Sequence, residues 1–198
     1  MHAELATVSP AVTADRIVLK AERLGPADVE ILEATRNGNR ATVHRLKMRI
    51  PRKELVRFLA ATIAGGPVTD MAVKPLGRHR LNLSATAFGF PTRAVLGLGA
   101  AGGRARMTIE SANLGWLAVS PGFLRDQIIA SSEPAVIESG DVRPDGRAAL
   151  SFAPGYLFAH VVARLPFALL ERGLPPNLDL RLTDIALHGP SVRVEGGQ

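Results

Sequence analysis

The chain contains no cysteine. That excludes disulfides, thiolate metal sites, iron–sulfur clusters and cysteine nucleophiles. Aromatic residues make up only 5%, with one Trp and one Tyr, so a core must be built from Leu, Val, Ile and Ala. No apolar run reaches the roughly 20 residues that a membrane-spanning helix takes. The longest, Tyr156 to Leu170, is interrupted by His160, Arg164 and Pro166. The first twenty residues show no basic start and no apolar stretch of the signal-peptide kind. The expected compartment is therefore cytoplasmic or peripheral to a membrane for a full-length chain, and the cell envelope for a trimmed one.

Catalytic signatures are missing too. There is no Gly-x-Ser-x-Gly elbow, no His-Glu-x-x-His, no Walker loop and no EF-hand. The five histidines, His2, His44, His79, His160 and His188, do not cluster with acids at metal-ligand spacing. No metal and no cofactor is expected, and the chain is not expected to be an enzyme.

What is present can fold. The chain has 198 residues and is 46% hydrophobic, enough for one domain over residues 1–198 with a buried core. Its net charge of +6 is concentrated. Between Arg36 and Arg57 lie Arg36, Arg40, Arg45, Lys47, Arg49, Arg52, Lys53 and Arg57 against a single acid, Glu54. A concentrated basic segment points to an anionic partner such as a lipid headgroup, a membrane surface or nucleic acid. A solvated, solubilising surface explains it equally well.

Most of the chain alternates with period 2, the mark of half-buried strands. Arg16–Arg23 and Val29–Ala34 come first, and Asn37-Gly38-Asn39 makes a tight turn. In Ala41–Ile50 the even positions Thr42, His44, Leu46, Met48 and Ile50 form a largely apolar face. The odd positions put Arg45, Lys47 and Arg49 on the other. Pro51 then opens a helix in which Leu55, Phe58, Leu59, Thr62 and Ile63 share a face. VTDMAV and RHRLNLSATAF make another hairpin. Trp116, Leu117, Phe123 and Leu124 surround Ser120-Pro121-Gly122, which leads into a short helical turn. Val136–Val142 and Arg147–Phe152 flank a turn at Pro144-Asp145-Gly146. GYLFAHVVARLPFALLERG reads as an apolar helix broken near Pro166, and LDLRLTDIALHG with SVRVEG closes the chain as a hairpin.

The stretch GLGAAGG contains Gly97-x-Gly99-x-x-Gly102, the spacing of a dinucleotide-binding turn. That turn needs a helix to open at the glycines and a carboxylate about 20 residues on. Here the alternating strand RARMTIES follows, and Trp116 to Arg125 holds no acid. The glycines read as strand positions and a hairpin turn at Ala101-Gly102-Gly103.

One internal match organises the rest. Val68-Thr69-Asp70-Met71-Ala72-Val73 and Leu182-Thr183-Asp184-Ile185-Ala186-Leu187 both read aliphatic-Thr-Asp-aliphatic-Ala-aliphatic. Each follows a helix and leads through a Pro/Gly turn into an alternating strand. The chain thus reads as two pseudo-repeats of hairpin–helix–hairpin, about 15–90 and 91–198. Asp70 and Asp184 are expected to serve strand edges or turns, not a catalytic pair. The expected fold class is α+β: a strongly curved antiparallel β-sheet wrapped on two helices.

RIPRKELVRFLAATI feeding VTDMAV, and LPFALLERGLPPNLDLRLTDIALHGPSVRVEG at the end, resemble the bacterial LmeA-like phospholipid-binding family. That family has a tubular lipid-binding architecture, and the likeness covers roughly Arg49 to Gly196. The resemblance implies non-catalytic binding of a lipid or other amphipathic ligand in an apolar groove at an anionic membrane surface. The expected lining is Leu55, Phe58, Leu59, Ile63, Phe158, Val161, Val162, Phe167 and Leu170. Arg45, Lys47, Arg49 and Arg52 are the expected headgroup side, and Trp116, Leu117, Phe123 and Leu124 the membrane contact. Two other readings stand beside it: an assembly protein that dimerises through the apolar helix 154–173, and a nucleic-acid binder using segment 36–57. The basic segment lacks the interleaved aromatics that stack on bases, so nucleic acid is the weaker partner.

Overall fold

A computed structural model describes residues 16–19, 28–37, 40–63, 68–161, 177–189 and 191–197. The fold is α+β and mainly antiparallel. The first sheet is built from β1 (Arg16–Leu19), β2 (Asp28–Asn37), β3 (Arg40–Pro51), β11 (Asn177–Asp179), β12 (Leu182–His188) and β13 (Ser191–Gly196). Its order is β1-β2-β3-β13-β12, and β11 runs parallel to the first residues of β3. The second holds β4 (Val68–Pro75), β5 (Arg80–Ala87), β6 (Phe90–Ala101), β7 (Arg104–Leu114), β8 (Leu117–Val119), β9 (Val142–Pro144) and β10 (Ala149–Phe152). Its order is β4-β5-β6-β7-β10-β9, and β8 pairs antiparallel with the last residues of β7. The helices are α1 (Arg52–Ile63), α2 (Pro121–Ser131), α3 (Pro134–Glu138) and α4 (Pro154–Val161).

One strongly curved sheet was expected; there are two sheets, and neither is curled. They meet at β12. One edge of β12 pairs with β13. From the rest of that segment, Leu182 N–H donates to the Gly103 carbonyl at 2.8 Å and Leu187 N–H to the Arg78 carbonyl at 2.5 Å. The Arg78 guanidinium adds an ion pair to Asp184 at 3.3 Å, and His79 Nδ1 donates to the Ile185 carbonyl at 3.0 Å. Gly103 is needed at this seam, because a Cβ there would lie 3.0 Å from Arg181 Cγ. A free strand edge is thus satisfied by the turns of the other sheet.

Between the sheets lies one aliphatic core. Met48, Val43 and Val194 of the first sheet are almost fully buried, as are Leu81, Ile109 and Leu150 of the second. Leu55, Phe58 and Leu59 of α1 and Leu157 of α4 complete it. Phe58 stacks edge-on against Phe152 at 5.3 Å and Tyr156 at 6.0 Å.

β-Bulges set the phase of the strands. Glu33 faces Arg45 and Ala34 faces Val43, so His44 is an extra residue. The expected even-numbered apolar face therefore holds only from Leu46 onward. Val43 is buried, while His44 is exposed and bonded to Thr35 at 2.6 Å. Both Thr-Asp segments also lie at bulges, between Thr69 and Ala72 and between Leu182 and Asp184. They serve strand irregularities and do not converge into a carboxylate pair: Asp70 is exposed at φ 53, while Asp184 pairs with Arg78.

The glycine-rich stretch resolves as a hairpin. Ala101 faces Arg104 across Gly102 and Gly103, whose φ angles are 58 and 78. Two positive φ values in a two-residue loop define the tight turn that suits twisted strands. Gly97 has a different reason. It lies between Arg80 and Thr108 in register, beside the bulged Glu110. Arg80 Nε donates to Glu110 Oε2 at 2.7 Å across it, and a Cβ would stand 3.2 Å from Glu110 Oε1.

Val136 and Ile137, expected in a strand, lie in α3 instead. Pro134 at the first helical turn and Ser139 N–H to Ala135 O at 2.9 Å favour that helix. Ile63, Phe158 and Val161 fall in described helices whose side chains there are not described. Val162, Phe167 and Leu170 lie outside the described residues. Leu81→Ala is expected to lower stability by about 3 kcal/mol, because its side chain is fully buried between the sheets. Urea unfolding checks this.

Candidate functional site

The antiparallel meander of the second sheet sends its turns to two ends. The β4–β5 and β6–β7 turns meet β12 at the seam. The β5–β6 and β7–β8 turns project at the other end, roughly 35 Å away along β6. Large apolar side chains gather there. Among the described residues, Phe88, Phe90, Trp116, Leu117 and Phe123 are exposed large hydrophobics at this end. Trp116 is 94% exposed. The two tips touch: Gly115 N–H donates to the Pro91 carbonyl at 2.7 Å, and a Cβ on Gly115 would meet the Phe90 ring at 3.8 Å.

The β5–β6 turn is built at a cost. Phe88 and Gly89 form a two-residue loop with φ angles of 54 and 79. Such turns favour Asn-Gly, and a bulky side chain at positive φ costs about 1–2 kcal/mol. Phe88 bears that strain while 64% exposed, so burial does not repay it.

Beneath the tips runs a groove of about 350 Å³ between α2 and the end of the sheet. It begins at α2. Ser120 Oγ caps the helix by accepting from Phe123 N–H at 3.1 Å, and Pro121 opens the first turn. Gly122 lets the helix approach the Arg147 carbonyl, which a Cβ would meet at 3.0 Å, and Arg125 donates to the Gly146 carbonyl. These contacts hold one side of α2 against the Asp145–Arg147 turn. No residue of α2 is fully buried. Leu124 and Ile128 face the core, and they line the groove together with the small side chains Ala87 and Ala112. Large residues on one side and small ones on the other leave the space open.

The lining is apolar, with Thr92, Asn113, Gln127 and Ser131 as its polar members. No charged side chain lines it. The volume falls at the lower end of small-molecule sites, about 300–1,000 Å³. A second cavity, lined in part by Leu55, Phe58 and Leu59 of the expected lining, measures only about 40 Å³. It has room for a few water molecules at most. The expected lining thus divides: its described side chains pack into the core, and the larger space lies at α2.

The expected membrane residues meet at this site. Phe123 and Leu124 line the groove, and Trp116 and Leu117 form one of its neighbouring tips. Phe88 and Phe90 join them without having been singled out in the sequence. The expected headgroup residues are not among the lining residues. Arg45, Lys47 and Arg49 stand on the outer face of the first sheet, and Arg52 opens α1. In register Arg45 faces Glu33, Lys47 faces Glu195, and Arg49 faces Asp28 and Arg193. Acids of neighbouring strands therefore intersperse the basic stripe, a pattern that supports strand pairing.

A separate polar clamp holds the α3–β9 connection. Arg104 donates to the carbonyls of Gly140 at 2.7 Å and Asp141 at 3.0 Å, and to Ser151 Oγ at 3.2 Å. Burial and the nearby Arg143 lower its pKa from the usual arginine value, against the pull of Asp141. Among the described residues no group of His, Asp and Glu is arranged to hold a metal ion, and no helix is long and apolar enough to cross a membrane. Comparison with protein-family models, curated proteins and solved structures returns no match. The likeness to the LmeA-like family rests on the quoted segments alone.

Two variants test the site's construction. Ser120→Ala is expected to cost about 1 kcal/mol through loss of the helix cap. Phe88→Asn is expected to raise stability by about 1 kcal/mol through relief of the turn. Thermal unfolding measures both.

Proposed function

We propose that the protein binds one acyl chain of a lipid, or a comparable amphipathic molecule, in the groove between α2 and the second sheet. The groove itself carries the reading: about 350 Å³, lined mainly by carbon, uncharged and open at an aromatic end. Asn113, Gln127 and Ser131 offer hydrogen bonds to a polar head where the chain emerges. The reading is non-catalytic; the groove presents no nucleophile paired with a base. It agrees with what the resemblance to phospholipid-binding proteins implies.

The pseudo-repeat belongs to the same proposal. Hairpins β2–β3 and β12–β13 share one sheet, and hairpins β4–β5 and β9–β10 share the other. α1 leads from β2–β3 to β4–β5 and α4 from β9–β10 toward β12–β13, so each hairpin–helix–hairpin unit contributes to both sheets. That ordering is what two exchanged copies would produce.

The test is uptake of a fluorescent fatty acid, with native mass spectrometry of the purified protein and organic extraction of whatever it carries. A one-to-one adduct supports the groove. Ala87→Leu combined with Ala112→Leu fills the space and is expected to reduce uptake at least tenfold, a change of about 1.4 kcal/mol. Its stability should shift by no more than about 1–3 kcal/mol. Uptake that survives the filling would place the ligand elsewhere.

A further inference from the structure

We infer that the β5–β6 and β7–β8 tips form an apolar wedge that enters a lipid surface without help from charge. The inference rests on the groove reading, since it gives the same end of the sheet its partner. Phe88, Phe90, Trp116 and Leu117 project from two touching tips and are each more than half exposed. Segments 86–92 and 111–120 contain no charged residue. Aromatic side chains on an uncharged, convex edge match the chemistry of the membrane–water interface, where Trp is favoured. The positive φ of Phe88 is a second, independent sign. A strained backbone that displays a ring to solvent points to a role outside the folded chain.

A second copy of the chain fits this edge less well. The four side chains expose apolar area on the order of 500 Å². A stable dimer takes about 800 Å² and roughly 20–30 residues per partner, polar surface included, and these two turns supply fewer residues than that. The basic stripe does not supply an electrostatic alternative, because it stands on the first sheet opposite acids of neighbouring strands. Insertion should therefore proceed on zwitterionic lipid and tolerate salt.

Trp116 is the only tryptophan of the chain and sits on the wedge, so its emission reports directly. The full chain is titrated with phosphatidylcholine vesicles, then with vesicles that also contain phosphatidylglycerol, at low and high salt. The expected result is a blue shift with both compositions, insensitive to salt, and quenching by lipids brominated near the headgroup. Phe88→Asn and Phe90→Ser should each weaken vesicle binding roughly tenfold, from loss of one buried ring. Phe88→Asn is expected to be more stable than the parent, so its loss of binding would not reflect misfolding.

No shift on phosphatidylcholine, or a shift only on anionic vesicles that salt abolishes, overturns the wedge. A shift that appears without lipid as protein concentration rises also overturns it, in favour of self-association. Fatty-acid uptake separates the two proposals. Uptake without a vesicle shift sinks the wedge and leaves the groove. A vesicle shift without uptake supports the wedge and removes the groove.

Discussion

The fold depends on how one strand edge is satisfied. β12 pairs with β13 on one side and reaches the turns of the second sheet on the other, through Leu182, Leu187 and Asp184. Without those bonds and the His79–Ile185 bond, the described residues of the two sheets would share apolar contact, which is non-directional and sets no angle between them. With them, the seam end of the second sheet is tied down. The core of Met48, Leu81 and Leu150 then closes beside it, and among the described residues α2 covers the far end of the sheet.

That asymmetry accounts for the site. α2 is held along one side by Gly122 and Arg125 and does not bury a single residue completely. It covers the sheet end loosely, over alanines and not over leucines. The aromatic tips stand beyond it. Burial, capping and backbone strain thus converge on one end of the molecule, while on the first sheet Arg45 and Lys47 have acids as cross-strand neighbours.

Much of this order was legible in the chain. Period-2 alternation marks β3, β5, β6, β7 and the closing hairpin, and Gly102-Gly103 marks a tight turn. The glycines of GLGAAGG read as strand positions and a hairpin turn, and they lie in β6 and the β6–β7 turn. The bulges at His44, Glu110 and Thr183 were not legible, since one extra residue in a strand changes the phase without a residue type of its own. Nor was the division into two sheets, which depends on pairings far apart in sequence. Trp116, Leu117, Phe123 and Leu124 were visible as an apolar loop. Phe88 and Phe90 carried a signal that was passed over: Phe-Gly where a hairpin turn calls for Asn-Gly. Ala87 and Ala112 could not be recognised, because a small residue opens space only relative to the side chain that faces it.

The length of β6 has a mechanical consequence. Among the described residues the backbone bonds between the sheets lie at the Gly103 end of the second sheet and none at its Phe90 end, so the sheet is fastened as a cantilever is. A slight rotation at the fastening is amplified along the strand, so the largest displacement occurs at the aromatic tips. The mouth of the groove shares that end through Phe88. Small rearrangements around Arg181 and Gly103 would therefore change the width of an opening on the opposite side of the molecule while the core between them stays packed.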